Sequence, residues 1–164
     1  MKTLLILRHA KSGWKELGLT DRDRPLNNRG RRDAPLIGAL LSRKHLKPDL
    51  IVSSTARRAL TTAEMVADNC DYGPTVQADH RLYLAKPETV IDVVRSLAGD
   101  ASTVLLVGHN PGLRELIALM TGAIETFPTS ALAQVQLSIT AWREIRASTR
   151  GTLVNIWRPK NPPN

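Results

Sequence analysis

A single cysteine, Cys70, is all the thiol chemistry this sequence offers. One cysteine excludes an internal disulfide and any zinc site built from paired cysteines, so Cys70 reads as a small core or helix residue. Long apolar runs are missing too. Leu4-Leu5-Ile6-Leu7 is cut off by Arg8 and His9, too short for a signal peptide or a membrane span. The expectation is a cytoplasmic protein with no membrane partner. There are no internal repeats and no low-complexity tract, and 164 residues with 42% hydrophobic content call for one core rather than two. Residues 1–158 are therefore expected to form one domain, with the Pro- and Asn-rich 159–164 frayed. No carboxylate-histidine cluster stands at ligand spacing, so no metal and no cofactor is expected.

Charge is present in excess of one sign, and unevenly. Residues 1 to 60 carry 14 Lys/Arg against 5 Asp/Glu, whereas 61 to 164 carry 9 against 10. A basic block of this kind binds anions. Aromatic-basic interleaving, zinc fingers and a basic tail are all lacking, which turns the expectation away from nucleic acid and toward an anionic substrate or the acidic face of a partner protein.

Three short apolar runs, Thr3 to Leu7, Leu50 to Val52 and Val104 to Val107, show no alternation, as strands buried on both faces of a parallel sheet do. Helical spacing lies between them. Ile37, Leu40 and Leu41 follow Asn27-Asn28, with Pro35 expected to delay or kink that helix. Ala59, Ala63, Val66 and Ala67 follow Ser54-Thr55, and Val90, Ile91, Val94 and Leu97 share a face within 86 to 98. Asn110-Pro111 predicts a cap and first turn for a fourth helix carrying Leu113, Leu116, Ile117 and Met120. Two β-rich runs, Ala131 to Ile139 and Gly151 to Trp157, flank a short polar stretch around Trp142 and are expected to complete the sheet. The fold class is α/β, a three-layer α/β/α sandwich around a mostly parallel sheet.

Ligands of such sheets bind beyond the carboxyl ends of the strands. The residues there are Arg8-His9-Ala10-Lys11-Ser12, Ser53-Ser54-Thr55-Ala56-Arg57-Arg58 and Gly108-His109-Asn110-Pro111-Gly112. Any one of these groups alone is most simply a hydrogen-bonded structural residue. Together, two imidazoles and several guanidiniums near helix N-termini make a pocket for a phosphate dianion.

At these residues the sequence resembles the histidine phosphatase superfamily, whose marks are Arg-His-Gly, Ser-Pro-x-x-Arg-Ala and a later Gly-His. Here they read Arg8-His9-Ala10, Ser54-Thr55-Ala56-Arg57-Arg58-Ala59 and Gly108-His109. The Arg-His-Ala-Lys-Ser start, the stretch Asp21 to Asn27 and the stretch Phe127 to Ala133 are similar to the SixA branch, and the resemblance spans nearly the whole chain. It implies a phosphoglycerate mutase-like fold and a phosphohistidine intermediate on His9. Arg8 and Arg58 would hold the phosphoryl oxygens and His109 would add a donor. Counting from Ser54 selects Arg58 over Arg57, which is expected to cap a helix or face solvent. Arg24, with Asp21 as its acidic partner, is implied as a further phosphate ligand, against the alternative of an ordinary loop salt bridge. Ser12 would donate to phosphate or start a turn. Lys11 would sit at the rim.

Two departures from the pattern stand out. Ala10 replaces glycine and requires a backbone without positive φ, and Ser54-Thr55 lacks the usual proline. The family members that cleave alcohol phosphoesters also carry a Glu or Asp after the third strand as general acid. The corresponding region, Gln77 to Tyr83, has no glutamate, leaving Asp79 and Asp21 as candidates. An alkoxide leaving group needs a proton, but imidazole leaves at a nitrogen of pKa ~6.5, so a missing acid favours a phosphoramidate substrate. The expected partner is a phosphohistidine protein or a small phosphorylated substrate. The alternatives are a phosphomonoesterase, a phosphoglycerate mutase relative, or a non-catalytic phosphate-binding module, in which an imidazole at position 9 would have no purpose.

Overall fold

The computed structural model describes residues 1–159. Six strands form one sheet in the order β3-β2-β4-β1-β5-β6, where β1 is Lys2–Arg8, β2 Leu50–Ser53, β3 Gln77–Ala78, β4 Thr103–Gly108, β5 Leu132–Leu137 and β6 Gly151–Trp157. β5 is antiparallel to both its neighbours and every other pairing is parallel. The sheet is thus mostly parallel, as expected, with β5 alone reversed. The two-residue β3 has no counterpart among the predicted strands. It is exposed and too short to leave a periodic signal.

The unbroken apolar character of β1 follows from burial on both sides. Leu4 and Ile6 pack with α3 (Pro87–Leu97) and α4 (Gly112–Thr121) through residues such as Val90, Ile91, Leu113 and Leu116. Leu5 and Leu7 pack on the other face with α1 (Asn28–Arg43) and α2 (Arg57–Asp68), through Ile37, Leu41, Ala63 and Val66. All four β1 side chains are fully buried. At about 1.5–3 kcal/mol for each such burial, this central strand is a large part of what holds the two helical layers together.

Three local expectations are corrected. Pro35 neither delays nor breaks α1, which runs continuously from Asn28 with Asn27 as its cap; the Asn27 side chain accepts from the Gly30 amide at 3.0 Å. The helix also lies close to the end of α2, where a Cβ on Gly38 would stand 2.6 Å from the Asn69 Cβ. Asn110 is not the cap of α4, a place taken by Pro111, although its side-chain oxygen still accepts from the Arg114 amide at 3.3 Å. The stretch around Trp142 is not simply polar, since Trp142 is buried in the α3/α4 layer and its indole donates to the Ala101 carbonyl at 2.6 Å. Of the expected frayed tail, residues 160–164 lie outside the described residues.

Candidate functional site

The sheet register builds the site. Arg8 of β1 stands opposite Gly108 of β4, so His9 and His109 leave adjacent strands at the same height, with ring centroids 5.2 Å apart. Ser53 of β2 stands opposite Val107, which brings Ser54 beside them. His109 Nε2 and Ser54 Oγ share a hydrogen bond of 2.8 Å, and Ser54 Oγ also accepts from the Ala56 amide.

The loop after His9 is fixed from several directions. The Ala10 amide donates to Thr62 Oγ1 at 3.0 Å, and the Ser130 amide donates to the Arg8 and His9 carbonyls at 3.2 and 3.1 Å. The Asn27 amide donates to the Lys11 carbonyl at 3.0 Å, and Gly30 comes so close to that carbonyl that a Cβ would collide with it. Ala10, which replaces glycine in the motif, is fully buried and is not in the left-handed region.

His9 Nδ1 lies 2.7 Å from the Ala10 carbonyl. A carbonyl only accepts, so Nδ1 carries the proton and Nε2 the lone pair. Burial, with Arg58, Arg8 and Arg24 nearby, lowers the His9 pKa to about 4, and burial together with His9 and Arg58 lowers His109 to about 3. Both imidazoles are therefore neutral at pH 7. When Ser54 donates its hydroxyl proton to His109 Nε2, the neutral ring carries its own proton on Nδ1. Arg8 Nε, Arg58 Nε and His109 Nδ1 are all buried without a hydrogen-bond partner among the described residues. Three orphaned donors in one place call for an acceptor-rich ligand.

Asp21, in a 3₁₀ turn Asp21–Asp23, gathers the remaining cations. Arg58 Nη2 donates to Oδ2 at 3.0 Å, Arg24 Nε to Oδ1 at 3.1 Å and the Tyr83 hydroxyl to Oδ2 at 2.5 Å. These hydrogen bonds, Tyr83's above all, lower the Asp21 pKa to about 2. Arg24 also donates to Ser12 Oγ at 2.8 Å, and its guanidinium carbon lies 3.7 Å from the centroid of the Trp14 ring.

A cleft of about 690 Å³ is lined by Arg8, His9, Ser12, Arg24, Arg58 and His109, with Lys11 at its exposed rim. Of the two neighbouring arginines, Arg58 is buried at the cleft and Arg57 is exposed at the start of α2. Asp79 is elsewhere, paired with Arg81 at 2.8 Å and below its ordinary pKa for that reason. Neither acidic candidate holds a proton near neutral pH: Asp21 is an acceptor for three donors and Asp79 is ion-paired outside the cleft. Sequence reasoning missed Trp14, Thr62 and Tyr83, none of which belongs to a motif. Among the described residues no three His, Cys, Asp or Glu side chains are grouped as metal ligands, and no helix is long and apolar enough to cross a membrane.

Neutral imidazole nitrogen, converging guanidiniums and orphaned donors at the carboxyl end of a mostly parallel sheet define a phosphoryl-handling enzyme, one that can attack phosphorus and spread the resulting charge over fixed N–H groups. Comparison with known proteins gives the family. The model of the histidine phosphatase superfamily (branch 1) matches residues 4–83. An uncharacterized protein of Mycobacterium tuberculosis is 36% identical over 80% of this chain and 87% of its own. A structure described as a proposed phosphohistidine phosphatase SixA from Agrobacterium tumefaciens is 30% identical, covers 96% of this chain and 98% of that one, and superposes with a TM-score of 0.81. A SixA protein histidine phosphatase complexed with tungstate, at 23% identity and a TM-score of 0.79, shares the fold. The chain belongs to the histidine phosphatase superfamily and is of the SixA type, with the phosphoglycerate mutase-like fold and the phosphatase class that go with it.

Proposed function

We propose that this phosphatase takes the phosphoryl group onto His9 Nε2 and that its substrate is phosphohistidine on a partner protein, with residues 1–158 acting as one catalytic unit in the cytoplasm. The observation that carries the reading is the 2.7 Å contact between His9 Nδ1 and the Ala10 carbonyl, which keeps Nε2 unprotonated inside a cationic pocket. In the first step Nε2 forms a bond to phosphorus and the P–N bond of a substrate ring protonated at its other nitrogen breaks, so that the electron pair stays on that ring and it departs as neutral imidazole. Arg8, Arg58, Arg24 and the His109 Nδ1–H hold the equatorial oxygens. Water then attacks the phosphohistidine, inorganic phosphate leaves and neutral His9 is restored. The charge is met by arginines, so the reaction proceeds without a metal.

The substrate class follows from the proton balance. Asp21 is ionised and shared among three donors, and Asp79 is paired with Arg81, so neither of these two carboxylates stands ready to protonate an alkoxide. An imidazole leaving group makes the smaller demand. Release of phosphate from a phosphohistidine peptide, from p-nitrophenyl phosphate and from 3-phosphoglycerate should fall in that order. Acid-stable or base-stable label trapped on the enzyme distinguishes the intermediate, and it should be base-stable and absent from His9→Ala. A His9→Ala protein that keeps most of its turnover would sink the nucleophile, and equal rates on all three substrates would favour a general phosphomonoesterase.

A further inference from the structure

A second cavity adjoins the catalytic cleft, and its chemistry is one-sided. It measures about 500 Å³ and is walled by Arg8, Arg29, Arg114 and Arg158 together with Asn110 and Phe127. Among the described residues its lining includes four guanidiniums and no carboxylate. Arg8 and Asn110 line both cavities, so the two are joined through the same side chains.

The wall is fixed rather than a chance meeting of surface arginines. Asn110 Nδ2 and Arg8 Nη1 both donate to the Phe127 carbonyl, at 2.7 and 3.3 Å, which ties the start of α4 and the end of β1 to the segment before β5. Arg158 Nε donates to the Thr126 carbonyl at 3.0 Å, and its Nη2 to Glu125 at 2.9 Å, which brings the end of β6 to the same segment. Arg114 is different. It projects from the first turn of α4, is exposed, and makes no side-chain hydrogen bond or ion pair among the described residues. Its charge opposes that of Arg8, whose pKa is lowered first by burial and then by Arg58 and Arg114. Arg158 is paired with Glu125 and Arg29 with Asp33, at 2.9 and 3.7 Å, whereas Arg8 and Arg114 repel each other with no carboxylate on either among the described residues, so these two gain most from an anion that bridges them.

We propose that this cavity is a second anion subsite, which takes a carboxylate or phosphate group borne by the same substrate whose phosphoryl group lies against His9. The proposal rests on the reading above for what occupies the first cleft, and it adds that the preferred substrate carries two anionic groups, one on each side of Arg8. In a protein substrate the second group is an Asp or Glu side chain near the phosphohistidine, and in a small substrate it is a second phosphate.

The test uses the full chain and the variants Arg114→Gln and Arg114→Glu, each checked for an unchanged melting curve. One arm compares phosphohistidine peptides flanked by Asp and Glu with peptides flanked by Ala and Gly. The other compares pyrophosphate with orthophosphate as inhibitors of p-nitrophenyl phosphate hydrolysis. Arg114 is exposed, so loss of its contact should raise the KM for the acidic peptide, or the Ki for pyrophosphate, about fivefold in the Gln variant and more in the Glu variant. The kcat, the neutral peptide and orthophosphate should stay within about twofold. A response in either arm supports the subsite and names its source. No response in either arm overturns it, as does an equal shift for neutral peptide and orthophosphate, which would mark a diffuse field only. Should the phosphohistidine peptides resist hydrolysis altogether, the substrate reading falls while the inhibition arm still decides the subsite.

Discussion

Asp21 and Arg58 are joined twice, the guanidinium donating through Nη1 to the Asp21 backbone carbonyl at 2.6 Å and through Nη2 to its carboxylate at 3.0 Å. One contact is to the main chain, so the pair fixes the Asp21–Asp23 turn against the start of α2 as well as neutralising a buried charge. With Arg24 and Tyr83 on the same carboxylate, Asp21 decides where two of the pocket's guanidiniums stand.

Replacing Asp21 by Asn should therefore damage the site as a whole. Three charge-assisted contacts weaken, from Arg24, Arg58 and Tyr83, each of order 1.5–3 kcal/mol, so kcat/KM should fall at least about tenfold. The loss should be the same for phosphohistidine and p-nitrophenyl phosphate. A much larger loss on alkyl phosphates, measured side by side, would show Asp21 to be a proton donor instead.

The neighbouring arginines make a controlled comparison. Arg58→Ala should weaken vanadate inhibition at least about tenfold, whereas Arg57→Ala, at an exposed position, should leave it within about twofold. Inhibition constants for the two variants are sufficient. The opposite order would mean that Arg57 is the phosphate ligand.

Trp14 is 68% exposed, yet its ring covers the Arg24 guanidinium. A cation–π contact at such a site is worth about 0.5–1 kcal/mol, so Trp14→Ala should raise the vanadate inhibition constant about two- to fivefold, with Trp14→Phe between it and the wild type. If all three proteins bind vanadate equally, Arg24 is held by Asp21 and Ser12 alone.

The depressed histidines predict how stability depends on pH. His9 at about 4 and His109 at about 3 stay neutral in the fold, while in the unfolded chain both take up protons near 6.5. The unfolded state then binds more protons below pH 6.5, and stability falls as the pH drops from about 6.5 toward 4. Between pH 7 and 8 these two groups add no slope. Urea unfolding across that range, with a His9→Gln, His109→Gln double variant for comparison, should give a flatter acid limb in the variant. Ring-proton titration by NMR checks the same assignment directly, and a His9 midpoint near 6.5 would contradict it.

The local sequence by itself determined the three buried strands, the four helices and the residues at the strand ends. Each of these is written in short-range terms: an apolar run with no alternation means burial on both faces, and a spacing of three and four means one helical side. Arg8, His9 and His109 stood out for the same reason, as residues that must emerge where a buried strand stops, whereas Arg58 was chosen over Arg57 through the resemblance to the family motif, counting from Ser54. The late start expected from Pro35 did not occur, since α1 begins at Asn28 behind its Asn27 cap. Only the tertiary structure showed that the Asp21 carboxylate is shared with Arg58 and Tyr83 as well as Arg24, because those two partners lie 37 and 62 positions away and meet it through the fold. The same holds for the meeting of His9 with His109, 100 positions apart, since it is the parallel register of Arg8 with Gly108 that brings two neutral imidazoles within 5.2 Å.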